Sequence, residues 1–388
     1  MILRGRIRTA AVAATSLALA AVVAGCASPQ IDHPFDGLQS LAPASGASED
    51  NDPPRLFIIH GITTQPDSYA DSLVAGLASR LASPHEVVHD QHYSVAGAVG
   101  FGGADVDINV RTYHLYDGPQ ETLRVSALNW SPLTASIKQH QFRRDDEMPR
   151  ALINGEIKTS VLNDGLSDAT LYLGAYQTVM RRGVMIGLCA FLDGVFANDQ
   201  CNPTSTSHAS VALISESLGS YMLFDAIEAL DRSNANSPAG EPLFRRLRQF
   251  YMFANQIPLL ELAELKPHPG APETAALSIT SPKLSAFLDR VRRSHAPRRP
   301  EGVKPAETAP LEIVAFTDPN DLLSYELRRE NYREAGADPH SFQTANVLYP
   351  NATAWFGLFA DPLTAHTGYS SNPEVLDLVV CGAGGCGR

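Results

Sequence analysis

A serine stands at a predicted sharp turn between a strand and a helix. Residues 211–214 form an apolar run typical of a buried strand, and the spacing of apolar residues in 218–230 predicts a helix. Ser217 lies at the apex of the intervening turn, and the small residues Ser215 and Gly219 stand two positions to either side. Such a turn lifts the apex hydroxyl clear of the sheet, as a nucleophilic serine requires.

Possible partners for this serine lie further along the chain, after another predicted strand. Residues 311–317 are apolar, and Asp318 and Asp321 follow them directly. His366 comes later, in a segment punctuated by glycine and proline. A serine nucleophile needs a histidine to take its proton and a carboxylate to hold the imidazole. His366 is the predicted base, and both aspartates are candidates for the acid, although Asp318 could instead cap the turn that follows the strand.

The order serine, acid, histidine and the turn motif together resemble the α/β-hydrolase superfamily. The turn of that family reads G-x-S-x-G, and here Ser215 replaces the first glycine. The resemblance implies a catalytic triad of Ser217, His366 and an aspartate. It favours Asp321 over Asp318, because the acid of the family usually falls several residues beyond its strand and before apolar residues.

The resemblance also implies an oxyanion hole, which holds the negative oxygen of the transition state. His60-Gly61-Ile62 matches the HG pattern that follows an early strand in this family. The two predicted donors are the backbone N–H groups of Ile62 and Leu218.

Strands and helices alternate along the chain, which predicts an α/β fold with a doubly wound, mostly parallel sheet. The predicted strands are residues 55–60, 105–114, 123–130, 211–214, 249–255 and 311–317, with a last apolar segment at 376–381. Residues 68–81 predict a further helix. We assign 54–388 to one hydrolase domain, with a largely helical insertion at about 133–205 that resembles a cap or lid. The Pro- and Arg-rich residues 266–302 predict an exposed excursion.

The N-terminus has the layout of a secretory signal. Three arginines precede an uncharged, alanine-rich run, and the run ends at Val-Ala-Gly-Cys26, which resembles a bacterial lipobox. We expect residues 1–25 to be a signal peptide, Cys26 to carry lipid, and 26–53 to be a flexible tether. This predicts an exported, lipid-anchored protein of the cell envelope, on the periplasmic face of the outer membrane in a Gram-negative host. The alternatives are an uncleaved membrane anchor and ordinary signal cleavage with an unmodified Cys26.

The net charge limits the classes of partner, and the cysteines indicate disulfide bonds. The formal net charge is −12, which argues against nucleic acid as a partner and leaves the lipid as the expected membrane contact. Beyond Cys26, the cysteines are Cys189, Cys201, Cys381 and Cys386. Four cysteines in an exported chain allow three pairings, and short loops favour Cys189–Cys201 and Cys381–Cys386.

The sequence predicts no metal site and no organic cofactor. His85, His89 and His92 have a spacing that a metal could use on a helix, but the polar residues around them favour a loop. The cysteines could also bind a metal, although they include no C-x-x-C pair.

Two functions remain open at this level. The first is a serine hydrolase that cleaves a small-molecule or lipid carboxylic ester through an acyl-enzyme. The second is a weak or inactive hydrolase-like envelope lipoprotein that binds a lipid or protein partner, because Ser215 in place of glycine could crowd the turn. Fold alone does not choose among ester, thioester and amide, and oligomeric state is not predicted.

Overall fold

The computed structural model describes residues 28–41, 52–99, 105–204, 207, 209–233, 240–264, 282–295, 310–328, 332, 341–354 and 358–386. The predicted signal peptide and Cys26 lie outside these ranges. None of the helices within the ranges is long and apolar enough to cross a bilayer.

Nine strands form one central sheet, and two form a small hairpin. The strands are β1 (Gln30–Ile31), β2 (Arg55–Ile59), β3 (His85–Val99), β4 (Asp105–Asp117), β5 (Gln120–Asn129), β6 (Gly194–Ala197), β7 (Gln200–Pro203), β8 (Val211–Glu216), β9 (Leu247–Phe253), β10 (Leu311–Thr317) and β11 (Phe342–Leu348). Their order in the sheet is β1-β11-β10-β9-β8-β2-β5-β4-β3, with β6 and β7 paired separately. The six strands from β11 to β5 are parallel, whereas β1, β4 and β3 are antiparallel additions at the edges. The predicted mostly parallel sheet is confirmed.

Helices cover both faces of the sheet. They are α1 (Asp71–Arg80), α2 (Pro132–Asp146), α3 (Leu152–Glu156), α4 (Ser167–Tyr172), α5 (Gln177–Phe191), α6 (Leu218–Ser233), α7 (Gly240–Arg246), α8 (Ile257–Leu260), α9 (Pro282–His295), α10 (Pro362–Thr367) and α11 (Pro373–Cys381). A π-helical segment, Ile157–Leu166, connects α3 to α4. Short 3-10 turns occupy Leu38–Leu41, Glu261–Glu264 and Gly368–Ser371.

Side chains alternate along each strand and therefore feed two separate cores. Phe57 and Leu213 pack with α5, α6 and α9 on one face, while Ile58 and Ile214 pack with α1 and α11 on the other. Burial on both faces explains why the central strands are continuous apolar runs. Because β2, β8 and β10 belong to the parallel part of the sheet, their carboxyl ends lie at one edge, where the site forms.

Several predictions from the sequence were wrong. Residues 28–41, assigned to the flexible tether, pack on the domain, because β1 pairs with β11 and Phe35 and Leu38 are buried. Part of the predicted exposed excursion is α9, whose Phe287 and Leu288 are buried. The apolar segment 376–381, for which the sequence predicted no type of element, belongs to a helix, α11.

The three histidines assigned to a polar loop lie on β3. This strand stands at the edge of the sheet, and its residues 85–92 are exposed on both faces, so the apolar alternation that reveals a strand is absent. Within the described ranges, no group of three or more His, Cys, Asp or Glu side chains is arranged to hold a metal ion.

The cysteines pair as the short loops predicted. Cys189 on α5 bonds to Cys201 on β7, which ties the hairpin to the sheet-covering helix. Cys381 at the end of α11 bonds to Cys386.

Candidate active site

The turn from β8 to α6 has a strained backbone at its apex. Ser217 has a φ of +53°, a conformation in which a side chain other than glycine costs free energy. A Cβ at Gly219 would lie 2.6 Å from the carbonyl oxygen of His60, so this position needs glycine. Ser215 is fully buried, and its hydroxyl lies 2.7 Å from that of Ser220. The structure thus accommodates serine in place of the first glycine of the motif.

Three side chains from distant parts of the chain meet at this turn. His366 Nε2 lies 3.1 Å from Ser217 Oγ. His366 Nδ1 lies 2.9 and 3.0 Å from the two carboxylate oxygens of Asp321. The serine follows β8, the aspartate follows β10, and the histidine lies on α10, so the parallel sheet brings all three to its carboxyl edge.

Asp321 is held as an ionised, oriented carboxylate. Burial favours the protonated form, but hydrogen bonds and charge from His366, with donors from Leu323 N–H and Tyr369 O–H, outweigh it and place the pKa of Asp321 below its usual value. The carboxylate accepts the Tyr369 hydroxyl at 3.1 Å. Asp321 therefore stays charged at neutral pH and holds the imidazole ring of His366 in place.

Asp318, the other candidate acid, has a different set of contacts. Its carboxylate accepts the backbone N–H groups of Asn320 at 2.7 Å, Asn351 at 2.6 Å and Ala352 at 3.1 Å. These bonds join the end of β10 to the loop that follows β11. Asp318 stabilises the loops that carry the site, and the carboxylate beside the imidazole is that of Asp321.

The loop after β2 passes directly over the serine. A Cβ at Gly61 would lie 2.5 Å from the Cβ and 3.2 Å from the Oγ of Ser217, so only glycine allows this approach. Ile62 follows in the same loop and lines the same cavity as Ser217. Leu218 is the first residue of α6, where backbone N–H groups have no partner within the helix.

Carboxylates of the helical insertion hold this loop in place. Thr63 has a φ of +84°, and its N–H donates to Asp168 at 2.9 Å. The N–H and hydroxyl of Thr64 donate to Asp164 at 2.9 and 2.7 Å. Lys138 bridges the two acids, with Nζ 2.9 Å from Asp168 and 2.6 Å from Asp164. The loop conformation therefore depends on α2, α4 and the π-helical segment between them.

His60 is a buried support for the same loop. One ring nitrogen contacts the Gly61 carbonyl at 2.9 Å and the other the Asn129 side-chain oxygen at 3.1 Å, while the ring stacks on Trp130. Burial lowers the pKa of His60 to about 4, so the imidazole is neutral near pH 7. It shapes the loop and is not a second base.

A cavity of about 660 Å³ opens beside Ser217 and His366. One side, which we call the inner wall, consists of buried side chains from the sheet and α1: Ile58, Ala70, Leu73, Ile214 and Phe253. The mouth carries exposed apolar side chains: Ile153, Ile157, Leu322 and Phe359. Most of the surface that a ligand would contact is therefore apolar.

Several residues that shape the site had no role assigned from the sequence, among them Lys138, Asp168 and Tyr369, and neither had Glu216, which lines the cavity. Thr134 and Lys138 lie at i and i+4 on α2 and are both buried, so two polar side chains stand on the face of this helix that packs on the protein. Glu216 is the one charged residue at the end of an otherwise uncharged strand, and this is the only signal that the sequence gives for it. The partners of Asp168 and Tyr369 lie far away along the chain, so their positions could not be inferred.

Comparisons with known proteins give little further information. No protein-family model matches the sequence, and no curated protein matches it. Among solved structures, acetyl xylan esterase 1 from Thermoanaerobacterium sp. JW/SL YS485 is similar over 75% of this chain and 89% of that one. The identity is 10% and the TM-score 0.22, a level of likeness that carries no inference about fold or function.

Proposed function

We propose that this protein is a serine hydrolase that cleaves carboxylic esters through an acyl-enzyme. The observation that carries the proposal is His366, which contacts Ser217 through one ring nitrogen and Asp321 through the other. This is the arrangement in which a histidine can remove the proton of a serine and be stabilised as an imidazolium.

The proposed reaction has two halves. In the first, Ser217 Oγ bonds to the ester carbonyl carbon as His366 takes its proton, and the proton then passes to the departing alcohol. In the second, water attacks the acyl-serine, His366 takes the proton of the water, and the acid leaves with Ser217 restored. The N–H groups of Ile62 and Leu218 are the proposed donors to the oxyanion, each worth about 3 kcal/mol in the transition state.

The apolar cavity supports an ester with an aliphatic or otherwise apolar substituent as substrate, small molecule or lipid. Substrates with a charge that no side chain of the cavity pairs with fit poorly, because an unpaired charge is costly to bury against such walls. Parallel ester, thioester and amide panels of graded chain length would define the bond that is cleaved.

Active-site labelling tests the proposal directly. The full-length protein is treated with a fluorophosphonate and the adduct is located by peptide mass mapping. We expect an adduct on Ser217 that disappears in Ser217→Ala and His366→Ala. Ser94→Ala is the control for loss of a serine hydroxyl, since Ser94 is exposed on β3, far from the turn, and contacts Asp107.

A negative result has a clear meaning. If well-folded protein gives no adduct, the enzyme proposal is wrong and a binding function takes its place. Ser215→Gly adds a second check: a large gain in labelling would show that the serine crowds the turn, whereas its bond to Ser220 predicts an unchanged or lower rate.

We further propose that the protein is exported and anchored by lipid at Cys26. The support is the signal-like N-terminus and the two disulfides, which form in oxidising compartments. Metabolic labelling with a radioactive fatty acid should mark the wild-type protein and not Cys26→Ala. Labelling of both proteins, or of neither, would remove the anchor from the proposal.

A further inference from the structure

Three carboxyl groups that the proposed reaction does not use line the cavity: Glu156, Glu216 and Asp361. Glu156 is exposed, and Asp361 accepts the Leu363 N–H and the Thr364 hydroxyl, so Glu216 is the one that lies beside the inner wall without a donor. Glu216 is the last residue of β8, immediately before Ser217. Because strand side chains alternate, Glu216 lies on the same face as Ala212 and Ile214, which belong to the core beneath α1 and α11. It lines the cavity beside the inner wall. The other sheet residues that line the cavity are all apolar: Ile58, Ile59, Ile214 and Phe253.

This carboxyl has no partner of its own in the described part of the chain. Its backbone pairs with β9, but its side chain forms no hydrogen bond or ion pair with the described residues. The nearby hydroxyl of Tyr69 is occupied, because it donates to the carbonyl oxygens of Ile58 at 3.2 Å and Leu128 at 3.1 Å. A carboxyl against apolar walls without a donor costs free energy, and polar groups in such positions normally have partners.

The electrostatic surroundings show the same lack of a donor. Burial raises the pKa of Glu216 to about 7; His366 opposes this rise, and the negative charge of Asp321 adds to it. A hydrogen-bond donor or a cation placed next to the carboxyl would remove this penalty. The position is open to the cavity, so a bound ligand can supply that group.

We propose that Glu216 determines substrate specificity: one substituent of the ester lies along the inner wall, and the Glu216 carboxyl pairs with a hydroxyl or cationic group that it carries. This inference rests on the proposed function, because the reaction at Ser217 is what places the substituent. The apolar residues of the inner wall select its aliphatic part, and Glu216 selects its polar end. The substrate class is therefore an ester with an aliphatic chain that bears a hydroxyl or ammonium group.

The test uses three alkyl fluorophosphonates of six carbons that end in methyl, hydroxyl or trimethylammonium. Ser217 Oγ bonds to phosphorus, fluoride leaves and His366 takes the proton, so the rate constant of labelling reports both activation and fit. The three rates are measured on full-length wild type, Glu216→Gln and Glu216→Leu, after thermal melting has shown that the variants fold.

We expect the hydroxyl or the trimethylammonium probe to label wild type about 10- to 100-fold faster than the methyl probe. The hydroxyl would act through a hydrogen bond to the carboxyl, and the trimethylammonium, which has no N–H, through charge attraction alone. Glu216→Leu should abolish that preference, so that its three rate constants fall within about 3-fold of one another. Glu216→Gln should keep part of a hydroxyl preference and lose a cation preference, which separates the two kinds of substituent.

The other outcomes contradict the inference in distinguishable ways. A wild-type preference for the methyl probe would show that Glu216 recognises no polar group. Equal slowing of all three probes in Glu216→Leu would mean that Glu216 supports Ser217 and His366 and does not select the substrate. Absence of labelling by any probe on folded wild type would defeat the proposed function itself, and the specificity proposal with it.

Discussion

The substitution Lys138→Met should destabilise the protein strongly, although Lys138 lies outside the proposed triad. The lysine is nearly buried, with 5% of its side chain exposed, and its partner Asp168 is completely buried. Methionine keeps the length of the side chain and removes the charge. Asp168 would retain the N–H of Thr63 and the hydroxyl of Thr134 but lose its only cation among the described residues.

The size of the effect follows from the burial of both charges. Removal of one partner from a buried ion pair costs about 3 to 5 kcal/mol, because the other charge stays in an apolar environment. A matched control is Lys158→Met, since Lys158 is 38% exposed and lies 3.8 Å from Asp145. Such a surface pair is worth about 0 to 1 kcal/mol.

The cost should also depend on pH in a defined direction. Burial raises the pKa of Asp168, and the charge of Lys138 and three hydrogen bonds partly offset this rise. Without Lys138 the pKa rises further. A carboxyl with a raised folded-state pKa destabilises the fold as pH increases, so the deficit of Lys138→Met should be largest near pH 8 and shrink toward pH 4.

Urea unfolding followed by tryptophan fluorescence, at pH 5 and pH 8, measures both quantities. The double variant Lys138→Met/Asp168→Asn should recover part of the loss at pH 8, since the completely buried carboxylate is then gone and only the half-buried Asp164 has lost its cation. A Lys138→Met deficit below about 1 kcal/mol at pH 8, or one that is the same at both pH values, would refute the reasoning.

Three further outcomes follow from the site. Asp321→Asn should slow fluorophosphonate labelling by about 10⁴-fold through loss of the imidazole-orienting charge, whereas Asp318→Asn should retain labelling and lower the free energy of unfolding by about 1 to 3 kcal/mol. Tyr369→Phe should slow labelling by about 10-fold, because Asp321 loses a donor; an unchanged rate would show that this hydroxyl does not serve the carboxylate. Gly61→Ala should abolish labelling in protein that still folds by circular dichroism, since the new Cβ would overlap Ser217; normal labelling would contradict the loop position.

The sequence predicted the central elements because their physical signals are local. β2, β8 and β10 are short apolar runs bounded by turn residues, and burial on both faces leaves nothing else at those positions. The positions of Ser217 and His366 could be inferred because each follows a recognisable change of pattern. Their meeting is then a consequence of a parallel sheet, whose strand ends share one edge.

The elements that were missed depend on contacts between distant segments. The first part of β3, residues 85–92, is exposed on both faces and becomes a strand by pairing with β4. Residues 28–41 are rich in turn formers, yet Phe35 and Leu41 fill a space between the sheet and α11. The composition of such a segment predicts disorder, because it has few apolar residues of its own. The apolar surface on which it packs comes from distant parts of the chain, so the segment alone does not reveal it.

The cap-like insertion is better understood as part of the site than as a cover for it. Two non-glycine residues at the site, Ser217 and Thr63, have positive φ angles, and each such conformation costs about 1 to 3 kcal/mol. At Ser217 the packing of the turn stabilises this conformation, and Gly61 and Gly219 make that packing possible. At Thr63 it is met by Asp168, through a hydrogen bond that the insertion supplies.

The conformation of the loop after β2 therefore depends on the stability of the insertion. Any change that loosens α4 from α2 frees the loop that carries the Ile62 N–H, even if Ser217, His366 and Asp321 stay in place. Such a variant should keep the three side-chain distances and still react slowly with a fluorophosphonate, because the proposed oxyanion donor, the Ile62 N–H, has moved. Asp168→Asn, which keeps an acceptor for Thr63 but weakens the bond to Lys138, should fall between wild type and Lys138→Met in labelling rate. A rate for Asp168→Asn equal to wild type, together with normal stability, would show that the insertion and the loop are independent.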